Sequence, residues 1–227
     1  MREKILALAE QLGLKDVAFV TANAEKDLKY AISAVVPLSP YVVQEIDTAP
    51  THSYFHHYRT INAYIDQCQL RLGMLLQENG YLYLPIPGSQ SINTPDKYFE
   101  GRCSHKMIAC MAGLGYIGKS NLFISYKYGP AVRLFTLFTD CDQLAADPIT
   151  PTDHCGDCTV CRDACPAGAI KGVNWCDAND RLDMFDPQKC SDYMKSAFKM
   201  IGRGAVCGIC MAKCPQFLKH RKEKQTP

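Results

Sequence analysis

Apolar residues recur at helical spacing at the start of the chain. Ile5, Leu6, Leu8, Ala9 and Leu12 fall within residues 2–12, and Gly13 follows as a helix-stopping glycine would. The short apolar run Val17–Thr21 predicts a strand. Ala31–Leu38, β-branched and almost uncharged, predicts a second, closed by Pro37 and Pro40. Residues 60–77 place Ile61, Tyr64, Ile65, Cys68, Leu72, Leu75 and Leu76 on one stripe, which predicts a long core helix ended by Gly80. The stretch His52–Tyr58, rich in aromatic and imidazole side chains, is read as preceding that helix. His56 and His57 are then either surface residues at its start or part of a pocket, with Tyr54 beside them. Tyr81–Ile86 predicts a strand broken by Pro87 and Gly88, residues 89–100 a polar loop, and His105–Ala112 a helix. Leu122–Tyr126 and Ala131–Thr139 predict a hairpin turned at Tyr128-Gly129-Pro130. A chain that opens helix, strand, strand predicts an α/β (α+β) fold.

The pattern changes at Asp147–Asp153, which carries Pro148 and Pro151 and no apolar period. This marks a boundary between a first domain, 1–146, and a second, 147–227. Beyond it large apolar residues thin out and cysteines replace them, so metal ligation is expected to stabilise the second domain. Cys155, Cys158, Cys161 and Cys165, with Pro166 after the last, form C-x2-C-x2-C-x3-C-P. In this spacing of bacterial iron–sulfur proteins the fourth cysteine ligates a different cluster from the first three. A second set must therefore exist. Cys207, Cys210 and Cys214 form C-x2-C-x3-C before Pro215, and Cys190 lies upstream. The expected pairing is Cys155, Cys158, Cys161 and Cys214 on one [4Fe-4S] cluster, and Cys165, Cys190, Cys207 and Cys210 on the other. Two structural zinc sites are the competing reading. Zinc gives no reason for a third cysteine after Cys158 or for the two Cys-Pro endings.

Of 227 residues, 47% are hydrophobic and 21% charged, enough for one medium domain and one small one. Thirteen clustered cysteines, with Met1 leading straight into a charged amphipathic segment, point to a reducing cytoplasm rather than a disulfide framework. No run of 18 apolar residues occurs, so no membrane helix is expected. The net charge of +2 falls further once thiolate clusters are added, which argues against tight non-specific nucleic-acid binding. The basic tail Lys219–Lys224 reads as a solvated end, or else as a weak docking patch. Cys68, Cys103, Cys110, Cys141 and Cys176 read as ordinary thiols, with Cys103 and Cys141 open to a place near a cofactor.

Gly113-Leu-Gly-Tyr-Ile-Gly-Lys-Ser120 matches both G-x-x-x-x-G-K-S and G-x-G-x-x-G. Both nucleotide motifs need a strand before and a helix after. Here the expected order is helix before and strand after. The loop is read instead as glycines whose backbone closely approaches another ligand.

Ala112-Gly-Leu-Gly-Tyr-Ile-Gly-Lys-Ser-Asn121, the cysteine run from His154 to Ile170, Lys189-Cys190 and Cys207–Pro215 together resemble the epoxyqueuosine reductase family, relatives of the reductive dehalogenases. The family shares an A-G-L-G-W-I-G-K-N loop and the double-cluster domain. The resemblance implies a nitroreductase-like α/β domain that holds cobalamin, followed by a ferredoxin-like module. Electrons would pass from a low-potential donor of ferredoxin or flavodoxin type through the two clusters to cobalt. The resemblance places Gly113, Gly115, Gly118, Lys119, Ser120 and Asn121 at the cofactor. It puts Cys165 and Cys190 on the cluster nearer the α/β domain and Cys214 on the one nearer solvent. The family's V-D-S/T stretch, whose aspartate is the implied proton donor, aligns with Ile92-Asn93-Thr94, so an amide occupies the catalytic position. His56-His57-Tyr58 echoes the family's D-Y-H, which makes His57 and Tyr58 catalytic candidates. The chain ends at residue 227, without the helical repeats that help many members grip tRNA. The alternatives are an electron carrier that reduces a partner and binds no cobalamin, and a nucleotide-coupled electron-transfer ATPase.

Overall fold

A computed structural model describes residues 1–22, 25–92 and 98–223, with side chains described through residue 220. The chain forms two compact units, neither continuous in sequence. One takes residues 1–36, 61–115 and 133–150, and the other 37–60, 116–132 and 151–227.

The first unit is built on a four-stranded sheet in the order β1-β2-β6-β3, with β1 at Val17–Thr21, β2 at Tyr30–Pro37, β3 at Tyr83–Ile86 and β6 at Val132–Thr139. β1 pairs antiparallel with β2, Val17 opposite Ala34, and β3 with β6, Tyr83 opposite Thr139. On one face Ile32 and Ala34 of β2 and Phe135 and Leu137 of β6 meet Ile5 and Ala9 of helix α1 (Arg2–Gln11). Ile65, Cys68, Leu72 and Leu76 of helix α3 (His52–Glu78) join the same cluster. On the other face Ala31, Ile86 and Phe138 meet Ile108 of helix α4 (His105–Met111). β2 is thus covered on both faces, which is why its sequence is continuously apolar rather than alternating. The stripe expected on α3 is the one buried, apart from Tyr64, which stays 39% exposed. Ser104 caps α4, its hydroxyl accepting from the Met107 N–H.

The second unit holds helix α2 (Pro40–Gln44), the first two turns of α3, a hairpin of β4 (Gly115–Ile117) with β5 (Phe123–Ser125), and a run of short helices. These are α5 (Val160–Asp163), α6 (Arg181–Met184), α7 (Pro187–Ala197), α8 (Ile209–Ala212) and α9 (Pro215–Glu223).

Two expectations are corrected. Residues 52–58 do not precede the long helix but form its first turns. Thr51 starts it, its hydroxyl accepting from the Tyr54 N–H at 3.0 Å while its carbonyl takes the Phe55 N–H. The expected hairpin of 122–126 with 131–139 does not form either. β5 turns back on β4, and β6 joins the large sheet. Asn121 closes the β4–β5 turn in the left-handed region (φ 59°), its N–H reaching the Gly118 carbonyl at 2.8 Å. The Ser125–Gly129 exchange of backbone hydrogen bonds makes a separate tight loop and releases the chain toward β6.

Candidate iron–sulfur site

The two cysteine runs fold alike. In the first, the Cys158 N–H returns to the Cys155 carbonyl, α5 carries Cys161, and the Cys165 N–H bonds the Arg162 carbonyl just before Pro166. In the second, Gly208 enters α8 with φ +82°, α8 carries Cys210, and the Cys214 N–H bonds the Met211 carbonyl just before Pro215. Proline ends one short helix by lacking an N–H and here begins α9. Cys190 comes from α7, whose N-cap Asp186 accepts from the Lys189 N–H at 2.9 Å.

The thiols sort into two sets by the electrostatics they exert on each other. Burial first, and then Cys214, Cys155 and Cys158, push the Cys161 thiol up to about 11. Burial first, and then Cys207 and Cys165, push Cys190 up to about 11. Cys210 is also pushed up, by burial and by Cys207, Cys190, Cys165 and finally Cys161. These influences group Cys161 with Cys155, Cys158 and Cys214, and group Cys190 and Cys210 with Cys165 and Cys207. The two groups approach one another at Cys161 and Cys210. Among the described residues no three His, Cys, Asp or Glu side chains converge on a single metal ion. Burial, as the largest cause, raises the thiols of Cys155, Cys161, Cys190, Cys207, Cys210 and Cys214, so loading iron on them releases protons.

Backbone donors oppose that burial. The N–H groups of Gln216 and Phe217 face Cys214, the Ile209 N–H faces Cys207, and the Lys119 N–H faces Cys155. Such hydrogen bonds to sulfur are one of the levers on cluster potential.

The glycine loop serves this site. A Cβ on Gly118 would press on the Ile124 side chain at 2.5 Å and lie 3.3 Å from the Cys155 sulfur, so glycine lets the loop pack against both. The buried Lys119 ammonium donates to the Gly156 carbonyl. Ser120 and Asn121 are buried in the β4–β5 turn, the Ser120 hydroxyl facing the Leu122 N–H at 3.4 Å. No helix follows Ser120, so the arrangement a nucleotide phosphate needs is absent from the loop. Gly113, with φ +77°, lies in the first unit, where a Cβ would press on Ile149, and Gly115 opens β4. Lys119, Ser120 and Asn121 are each buried with partners inside the fold.

His57 is half-buried and its Nε2 accepts the Ser39 N–H at 2.9 Å. Burial, and then neighbouring His56, hold its pKa below the usual value. His56 is exposed and Tyr58 half-buried, its ring 6.2 Å from that of buried Tyr54. Tyr54 packs on the second cysteine run: a Cβ on Gly208 would stand 3.1 Å from its ring. Asn93 lies outside the described residues. Cys68 and Cys141 belong to the larger core, and Cys110 is buried. Cys103 packs on the smaller core, its thiol pushed up to about 11 by burial and then by Glu25. Sequence reasoning missed Tyr116, His154 and Tyr126, which stack beside the first cysteine run. His154, directly before Cys155, was the available signal.

Residues 154–216 match the family described as 4Fe-4S double cluster binding domain. The chain is 35% identical over 120 residues to an epoxyqueuosine reductase of Pseudomonas aeruginosa, covering 48% of this chain and 30% of that protein. It is 29% identical over 182 residues to that of Synechocystis, covering 79% and 60%. The chain thus spans less than two thirds of each. Among solved structures, a catabolic reductive dehalogenase bound to 3-bromo-4-hydroxybenzoic acid superposes with TM-score 0.73 at 19% identity, over 97% of this chain and 33% of that one. A second, whose structure suggests a mechanism for B12-dependent dehalogenation, gives 0.71 at 18%, over 99% and 34%. Epoxyqueuosine reductase with an epoxyqueuosine-modified tRNA-Tyr stem loop gives 0.60 at 19%, over 96% and 65%. These likenesses establish the shared fold. The second unit carries the double [4Fe-4S] domain, and among the described residues no helix is long and apolar enough to cross a membrane.

Proposed function

We propose that the chain is an iron–sulfur oxidoreductase of the epoxyqueuosine reductase kind. It would take electrons singly from a low-potential donor of ferredoxin or flavodoxin type. Two [4Fe-4S] clusters would relay them toward a reducible substrate. The observation that carries this reading is the match of residues 154–216, with their spaced cysteines, to a double [4Fe-4S] cluster binding domain. Two adjoining low-potential centres make a relay, where one would suffice for a redox sensor.

The acceptor between clusters and substrate is proposed as a cobalamin, supported by likeness in fold to a B12-dependent dehalogenase. When bound, it would supply low-valent cobalt for the reduction. This chain's residues do the rest. The cysteines hold the clusters, the glycine loop seats the first of them, and Tyr54 packs against the second. We propose His57 and Tyr58 as catalytic candidates, with Asn93 the sequence counterpart of the family's aspartate. Asn93 would there be a hydrogen-bonding amide, since an amide delivers no acid proton. The substrate class is an epoxyqueuosine-containing tRNA stem loop, supported by the relatives' names and the RNA complex.

The test is single-turnover reduction of that stem loop by chemically reduced protein, with and without added cobalamin. Queuosine formed only with cobalamin supports the reading. If no product forms while the clusters still reoxidise against a partner protein, the chain is an electron carrier.

A further inference from the structure

Three aromatic side chains stack against the first cysteine run, and nothing above uses them. Tyr116, at 5% exposure, lies in β4 two residues before Gly118, where an added Cβ would lie 3.3 Å from the Cys155 sulfur. The ring of His154, itself exposed, packs on it tilted by 48° with centroids 4.6 Å apart, and His154 directly precedes Cys155 in the chain. Tyr126, 52% exposed, lies 6.0 Å from the Tyr116 ring and 5.7 Å from His154. His154 is fixed in orientation, its Nε2 at 3.0 Å from the Thr152 hydroxyl and 3.4 Å from that of Tyr126. Cys155, Cys214 and Cys158 all act electrostatically on the Tyr116 hydroxyl, so this ring stands beside three of the four thiols of one set.

We infer that Tyr116, His154 and Tyr126 wall off the first cluster, that of Cys155, Cys158, Cys161 and Cys214, from water and thereby set its reduction potential. Reduction adds an electron to a centre already carrying four thiolates. Water stabilises that extra charge, and a packed ring in place of water does not. Solvent exposure is one of the quantities that fix cluster potentials. The three are positioning residues: none is a cluster ligand. Tyr116 is the inner course of the wall, and His154 and Tyr126 are the outer one.

The inference rests on the two-cluster part of the proposed function and not on cobalamin. It is tested on the reconstituted holoprotein by redox titration followed by electron paramagnetic resonance, which reports both midpoint potentials without any substrate. Tyr116→Ala, checked to hold the same iron as the parent, is expected to raise one midpoint and leave the other in place. Tyr126→Ala, a surface change that leaves the core intact, is expected to raise the same midpoint by less. Tyr41→Ala, at a residue 71% exposed on α2, is expected to move neither. If Tyr116→Ala loses its iron, Tyr126→Ala decides alone. Unmoved potentials in an iron-replete Tyr126→Ala protein, or equal shifts of both clusters, overturn the inference. A parent protein that holds fewer than two clusters instead overturns the proposed function.

Discussion

The Lys119 ammonium donates to the carbonyl of Gly156, the residue between the first cluster cysteine and the second. The residue that reads as the phosphate-gripping lysine of a nucleotide loop is thereby a clasp on a cysteine run. Its backbone acts in the same direction, with the N–H facing the Cys155 sulfur. A hydrogen bond from a charged donor contributes about 1.5–3 kcal/mol. Lys119→Met should therefore weaken the first cluster selectively, read as faster loss of half the iron to a chelator. ATP should not shift the melting of the parent protein. Iron release at the parent rate, or protection by ATP, would contradict this assignment.

Two equivalent glycines should differ. Gly156 and Gly208 each follow the first cysteine of a C-x2-C pair, and both have positive φ, +50° and +82°. A Cβ on Gly156 meets nothing within 4 Å, whereas one on Gly208 comes within 2.9 Å of Ile46 and 3.1 Å of Tyr54. Gly156→Ala should bear only the left-handed backbone penalty, about 1–2 kcal/mol, and keep all its iron. Gly208→Ala should add the clash and lose the second cluster. Iron and sulfide counts on the two purified variants separate the outcomes; equal retention would mean that Tyr54 does not press on the second run.

The last cysteine of each run should serve the other run's cluster. Cys214→Ser is expected to change the signal of the same cluster as Cys155→Ser does, although the two lie 59 residues apart in the sequence. Cys165→Ser is expected to behave like Cys207→Ser. Paramagnetic resonance of the four single variants gives the grouping, and a Cys165→Ser spectrum like that of Cys155→Ser would refute the crossed pairing.

Stability should fall on mild acidification. Burial, as the largest cause, holds both His57 and His105 below the ordinary value of 6.5. Each is neutral in the fold: His57 accepts the Ser39 N–H, and His105 bridges the Thr136 hydroxyl and the Pro87 carbonyl, each at 3.0 Å. The unfolded chain binds these protons more readily, so the stability they lend is complete above about pH 6.5. It is lost as pH falls from there toward the depressed folded values. Chemical denaturation at pH 7.5 and 5.5 should show the loss, and His105→Gln should reduce it. An equal drop in parent and variant would remove His105 from the account.

Much of this was legible in the sequence for a physical reason. Cluster ligation demands fixed short spacings, so the cysteine runs announced a double-cluster domain. The α3 stripe was legible because Ile65, Cys68, Leu72 and Leu76 all face one core. The start of α3 was not. Residues 52–58 are too polar to show a period, and the signal lay in Thr51 as a capping hydroxyl. The false hairpin came from reading Gly129-Pro130 as the only turn, whereas Gly118 to Asn121 makes the earlier and tighter one. The wall of Tyr116, His154 and Tyr126 was invisible because its members come from three separate stretches brought together only by folding. The two compact units were hidden for the same reason: residues 37–60 and 116–132 are far in sequence from the cysteines they join.

The most direct test is anaerobic reconstitution with iron, sulfide and cobalamin, followed by gel filtration, metal analysis and the visible spectrum. The account predicts about eight irons per chain, as two four-iron clusters require, with cobalt retained in stoichiometric amount. The same iron without cobalt would make the chain an electron carrier. Zinc in place of iron would contradict the account at its root.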